Sequence, residues 1–337
     1  MSLPLPLPPR APYFDAEAGV WVLSRYADVF PAFRDARLWP VSSRGDDDGH
    51  PRNDNGALIE RAQVRDQLSV GMFDWQRQME RTAATVMESF DTNRPIELLH
   101  EFARPWCLSV ALLLTGADLA DREKLDAIGS RVFAGTAAPR DSAERVDASK
   151  AVAELEEYFA TSRTPMAQST FVGVSQTLPR LLVNGWLALF EHPAEVARLR
   201  TNPEFMASTV EELLRYAGII PKLYRKARQP LEVAGIPLAA GDRVTLMIGS
   251  ANRDPEKFTD PNRLDVARRA AGQLTLGIGH NSCAGARLIR TANGVAIGAM
   301  LNAFSDVRVT GTIPWSDASG FRWPASVHVS FRRRANL

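Results

Sequence analysis

Cysteine is nearly absent from this chain: Cys107 and Cys283 are the only two in 337 residues. Two thiols so far apart exclude a disulfide framework and a zinc knuckle, and they point to a reducing compartment in which each thiol is used singly. Net charge is nearly absent as well, at +1 from 40 basic and 39 acidic residues. Neither nucleic acid nor an anionic membrane is marked as a partner by that balance. No apolar run reaches the roughly 20 residues of a membrane helix. The N-terminal MSLPLPLPPRAPYF alternates Leu with Pro, lacks the basic and apolar regions of a signal, and reads as an extended lead-in over residues 1–14. The expected location is the cytoplasm. There is no internal repeat and no linker rich enough to divide the chain, so a single domain over 1–337 is expected.

What is present is mostly helical spacing. VWVLS at 20–24 reads as a strand and RYADVFPAFRDARL at 25–38 as an amphipathic helix, followed by a polar, turn-rich loop at 42–56. From Ala57 to about Leu125 the pattern is helical, with breaks near 91–95 and 115–118, and a further helix fits 147–161. Another long helix is expected from Thr170 to Phe190, then two more whose starts are marked by Pro193 and Pro203. LEVAGIPLAAGDRVTLMI at 231–248 and the C-terminal segment carry β-type residues broken by turns. The expected class is mainly α with small β-sheets (α+β).

The glycine-rich LTLGIGHNSCAGARLIR at 274–290 sets Cys283 directly before a helical run. The spacing of Gly277 and Gly279 supports neither a phosphate loop, which needs Lys and Ser/Thr after its glycines, nor a dinucleotide fingerprint, which needs a third glycine. A nucleophilic Cys283 paired with His280 and an inert buried thiol are both open. One further reading uses every feature: glycines let the backbone approach a flat ligand, and the positive end of the following helix favours the Cys283 thiolate. That describes a thiolate ligand to haem iron.

At this point the sequence resembles the cytochrome P-450 superfamily, whose loop follows Phe-x-x-Gly-x-x-x-Cys-x-Gly. Gly279, Cys283 and Gly285 match, while Leu276 replaces the usual Phe and Asn281 the frequent His. Glu212 and Arg215 in EELLR stand as the family's Glu-x-x-Arg, and Arg268 in LDVARR falls at its meander arginine. YRKA, VAGIPLAAGDRV and SANRDPEKF follow in the family order, so the resemblance runs from about 170 to 310, with weaker traces in IELLHEFARPW and LLLTGAD.

The resemblance implies a haem b cofactor with Cys283 as its metal ligand, and a structural lock of Glu212, Arg215 and Arg268. It places Arg225 against one haem propionate, sets Gln273 where a propionate-binding His often stands, and makes Arg61 in ALIERAQVRDQ the candidate for the other propionate. TFVGVSQTLPRLLVNGWLALFEHP resembles the distal helix, with Gly173 at the oxygen groove and Gln176 and Thr177 in place of the usual acid and threonine. The alcohol is kept and the carboxylate is gone, and an amide does not titrate as a general acid. Pro179 inside this helix would cost about 3 kcal/mol if the helix were regular. Relative to a typical bacterial member the chain is trimmed between 42 and the Arg61 region and again before the distal helix, so the pocket is expected to be open or covered by a second copy. The implied activity is a monooxygenase acting on an organic, natural-product type of substrate, fed by a ferredoxin and its reductase. Peroxide-driven oxidation, a redox-neutral rearrangement, or haem binding without oxygenase activity is the alternative.

Overall fold

The structure is a computed structural model that describes residues 6–41, 62–66, 71–91, 93–136, 138, 142–162, 164, 167–279, 282–316 and 321–334. The loop expected at 42–56, together with Arg61, His280 and Asn281, lies outside the described residues. Alternating apolar residues in YFD and VWVL form the antiparallel pair β1 (Tyr13–Asp15) and β2 (Val20–Leu23). The helix expected over 25–38 is shorter: α1 spans Tyr26–Arg34, and the chain then extends into β3 (Leu38–Val41). Its pairing with β5 (Leu223–Ala227) is a long-range contact that local helical spacing does not reveal.

The helical half follows its apolar spacing. α2 (Met72–Glu88) leads through the short β4 (Ile96–Glu97) into α3, which is π-wound over Leu98–Ala103 and α-helical over Arg104–Thr115. α4 spans Arg122–Gly135 and α5 Ala143–Tyr158. The start of α5 precedes the expected 147 because the Ser142 hydroxyl caps it, accepting from the Arg145 amide at 3.2 Å. Only residues 159–166 join α5 to the central helix α6, which runs through Ala167–Val172, a π-wound turn Gly173–Thr177, and Leu178–Phe190. α7 (Pro193–Thr201) and α8 (Met206–Ala217) follow, and α9 (Ala286–Ala303) comes after the cysteine loop.

Among the described residues the strands make small sheets: a five-stranded one ordered β1-β2-β8-β5-β3, with β8 at Arg243–Leu246, and a three-stranded one ordered β4-β12-β9, with β9 at Phe304–Thr310 and β12 at His328–Arg333. Two hairpins, β6 (Leu231–Val233) with β7 (Ile236–Leu238) and β10 (Trp315–Ser316) with β11 (Trp323–Pro324), complete them. The main core surrounds α6: Trp106, Phe102 and Trp186 are fully buried, with Phe102 and Trp186 ring centroids 5.0 Å apart. A second apolar cluster joins α1 to the five-stranded sheet through Phe33, Leu38, Val244 and Leu274. The cysteine loop thus starts from one core and its helix ends in the other, which fixes the loop between them.

Candidate active site

Cys283 lies half-buried at the end of its loop, with its backbone N–H donating to Leu276 O at 2.7 Å and the first turn of α9 beginning three residues later. Gly277 and Gly279 both sit at φ +66°, the left-handed region that a side chain disfavours, and these two turns fold the loop back on itself. A Cβ at Gly285 would stand 3.9 Å from Cys283 Sγ. The other cysteine, Cys107, is buried in α3, and burial pushes its thiol well above the ordinary range; neither cysteine is in a disulfide.

Behind the loop, Glu212 and Arg215 of α8 are not a surface pair. Both are buried, with Arg215 Nε donating to Glu212 Oε2 at 2.7 Å and Nη2 to Oε1 at 2.9 Å. Arg268 Nε donates to the same carboxylate at 3.0 Å. Arg215 Nη1 also reaches the carbonyls of Asn252 and Pro261, both at 2.8 Å, so the cluster fastens the whole stretch before the cysteine loop to α8. The fastening continues into the loop: Asn252 Oδ1 accepts from Leu274 N at 2.8 Å, and Thr275 Oγ1 donates to Leu214 O at 2.6 Å.

Arg225, on β5, is only 3% exposed, and no carboxylate faces it among the described residues. Its Nη1 donates to Tyr224 O at 2.9 Å, its Nε has no partner, and the guanidinium stacks over Phe33 at 5.3 Å. Burial holds its pKa down at about 10. A buried cation without a counter-charge is costly, and pairing with an anion would offset that cost. Gln273, expected at a propionate, bonds to protein neighbours here: its Nε2 donates to Glu211 Oε2 at 3.3 Å and its Oε1 accepts from Thr275 N at 2.8 Å. The two bonds tie the base of the loop to α8.

In α6 the π-wound turn lies immediately before Pro179. Leu178 N–H bonds back to Gly173 O, five residues earlier, so Pro179 falls in the first turn of a fresh α-helical stretch, where its missing donor is harmless. Gly173 is exposed and a Cβ on it would meet nothing within 4 Å, so the turn opens onto free space there. The helical threonines 82, 115 and 201 all donate to the carbonyl four residues back. Thr177 makes no such bond among the described residues, and its hydroxyl stays available.

Gln176 is fully buried and points toward α4. Its Nε2 donates to Asp126 Oδ1 at 3.0 Å, and its Oε1 accepts from Ser130 Oγ at 3.5 Å. Arg104 of α3 donates to both Asp126 oxygens, at 3.1 and 3.0 Å, and to Ser130 Oγ at 3.0 Å. Arg180 donates to Gln176 O and stacks on Phe133 at 4.0 Å; burial, with Arg104 adding to it, lowers its pKa to about 10. Sequence reasoning missed Asp126, Ser130, Arg104 and Arg180, because they reach Gln176 across helices, through backbone or, for Arg104, only by way of Asp126 and Ser130.

A sequence profile described as Cytochrome P450 matches residues 197–317. The chain is 34% identical over 172 residues to the cytochrome P450 monooxygenase PikC of Streptomyces venezuelae, covering 50% of this chain and 41% of that protein. It is 28% identical over 332 residues to cytochrome P450 105C1 of a Streptomyces species, covering 89% and 85%. The crystal structure of CYP109B1 from Bacillus subtilis superposes with a TM-score of 0.84 over 94% of this chain and 95% of that one, at 23% identity, which carries the fold. The chain belongs to the cytochrome P450 superfamily. Its class is that of the P450-type oxidoreductases, and the family's cofactor is haem. The residues of this P450 fit such a group: the partnerless Arg225 Nε suits a propionate, the half-buried Cys283 offers a thiolate ligand, and Gly173 leaves open space beside the π-wound turn. Among the described residues no helix is long and apolar enough to cross a membrane.

Proposed function

We propose that this P450 is a haem-thiolate monooxygenase of the cytoplasm that inserts oxygen into an organic, natural-product type of substrate, with electrons from a ferredoxin and its reductase. The cofactor would be haem b, which the Cys283 thiolate would hold by its iron and Arg225 by a propionate. The observation that carries this reading is Arg225: a guanidinium buried over Phe33 without a counter-charge is explained by an anionic group bound there. When bound, haem supplies the oxygen chemistry. The chain's own residues bind it through Cys283 and Arg225, hold the loop through the Glu212 cluster, and present the Thr177 hydroxyl from the π-wound turn to a proton donor or acceptor.

The test is spectral and catalytic. The reduced carbon monoxide complex of the wild type should show the red-shifted Soret band of thiolate ligation, and a ferredoxin system should drive oxygen-dependent product formation across a panel of substrates. Absence of that band in haem-replete protein overturns the reading. Gln176 in the acid's place is the observation that favours the second reading, peroxide-driven or redox-neutral chemistry; turnover with peroxide and none with ferredoxin would select it.

A further inference from the structure

The carboxylate missing from the distal helix is present one helix away. Asp126 of α4 accepts from the fully buried Gln176 amide at 3.0 Å, yet its own side chain is 31% exposed. It lines a groove of about 330 Å³ between α3 and α4, together with His100, Arg104, Arg122 and Glu123. The contact depends on a close helix approach at Gly129, where an added Cβ would come within 3.3 Å of Gln176 Nε2. One carboxyl group therefore touches both the groove and the residue next to Thr177.

We propose that Asp126 is the titratable acid of this distal site and a positioning residue for the Gln176 amide, a reading that rests on the oxygenase function above. As a carboxylate, Asp126 accepts from Nε2–H, which leaves Oε1 to accept from Ser130. When Asp126 takes a proton from groove water, its new O–H donates to the amide oxygen; the amide turns over, and Nε2–H then donates to Ser130 Oγ. The reverse turn returns that proton to the groove, so no charge passes through the amide. What changes is whether donor or acceptor faces Ser130 and Ser175, whose hydroxyl lies 3.5 Å from Nε2. The charged groups facing Asp126 are Arg104 from α3 and Arg180 from α6, with His100 from the π-wound start of α3 and Arg122 and Glu123 from α4 around the groove.

The experiment uses ¹⁵N-labelled purified protein in its reduced carbon monoxide form, with the Gln176 side-chain amide assigned by its loss in Gln176→Glu. In the wild type its two N–H resonances should move with pH through a single inflection, which Asp126→Asn should abolish. With ferredoxin-driven turnover, Asp126→Asn should lower product formed per electron pair by about tenfold, less than the roughly hundredfold or more of a lost direct proton donor because Asp126 acts through the amide, and flatten its pH profile. Asp126→Asn/Gln176→Glu, which returns a carboxylate to the same cluster, should regain most of the coupling. A Gln176 amide that does not titrate overturns the proposal. So does an Asp126→Asn protein with unchanged coupling and pH profile, or one whose loss is matched by a lower unfolding midpoint and is not rescued by the double variant. A wild type without the thiolate band refutes the oxygenase reading alone, and the amide titration, which needs no turnover, still decides the pairing.

Discussion

Replacing Arg225 with Met should stabilise the haem-free protein while loosening its grip on haem. The side chain is 3% exposed, its Nε is unbonded, and burial holds its pKa more than two pH units below an arginine's usual value, at about 10. At 1.36 kcal/mol per pH unit, keeping that guanidinium charged inside the fold at neutral pH costs roughly 3 kcal/mol. The Phe33 ring at 5.3 Å returns about 1 kcal/mol of it. A methionine of similar reach removes the charge and keeps the packing, so the haem-free variant should gain about 2 kcal/mol. Against bound haem the sign reverses, because a charge-assisted bond to a propionate is worth about 1.5–3 kcal/mol, a tenfold to hundredfold faster loss of haem. The pH dependence follows from the depressed pKa: the unfolded chain holds the proton more tightly, so stability of the haem-free wild type should rise as pH climbs above about 10, and the Met variant should lack that rise. Urea unfolding of haem-free protein and haem transfer to apomyoglobin measure the two effects. A haem-free Arg225→Met that unfolds at lower urea than the wild type would refute the reasoning.

Arg215→Ala should lower stability by about 3–5 kcal/mol, because it leaves the fully buried Glu212 carboxylate short of its main partner. Arg290→Ala, which breaks the solvent-facing pair with Glu211, should change it by no more than about 1 kcal/mol, and equal losses by unfolding midpoint would sink the distinction. Cys283→Ser should abolish the red-shifted Soret band of the reduced carbon monoxide complex, whereas Cys107→Ala, remote in α3 and held protonated by burial, should leave it in place. With only residues 159–166 between α5 and α6 there is no length for a further roofing helix, so bulky ligands should shift the Soret band at lower concentration than monoterpene-sized ones; the opposite order points to a pocket closed by a second copy of the chain.

The parts of the molecule legible in the sequence are those where a residue's neighbour is close in the chain or its backbone is special. Gly277 and Gly279 were readable as turn residues because the left-handed conformation they adopt is one other residues avoid. The Glu212–Arg215 spacing was readable as a helical pair, but its burial was not: an i,i+3 ion pair looks the same on a surface, and only its place in the family order distinguished it. β3 was not legible because its partner β5 lies far along the chain, and it overlaps the expected helix only at Leu38. The bond of the Gln273 amide to Glu211 was not legible, because no local pattern connects the two residues.

Pro179 shows how a local irregularity and a distant contact combine into a site. The sequence marks it as a cost to a regular helix, and the chain avoids that cost by widening the preceding turn to a π winding over Gly173–Thr177. Within the widened turn the Thr177 hydroxyl does not donate to Gly173 O, four residues back, as the helical threonines at 82, 115 and 201 do to their own i−4 carbonyls. The widening also sets Gln176 beside Gly129, the position in α4 small enough to let its amide reach Asp126. One proline therefore accounts for a freed hydroxyl and for an amide turned to an acid on another helix. Replacing it with Ala should let the helix regain regular α winding, return Thr177 to its own backbone, and draw Gln176 away from Asp126. Loss of the pH-dependent Gln176 amide shift in Pro179→Ala, in a protein that is otherwise fully folded, is the result expected; an unchanged titration would show that the turn is held by packing against α3 and not by the ring.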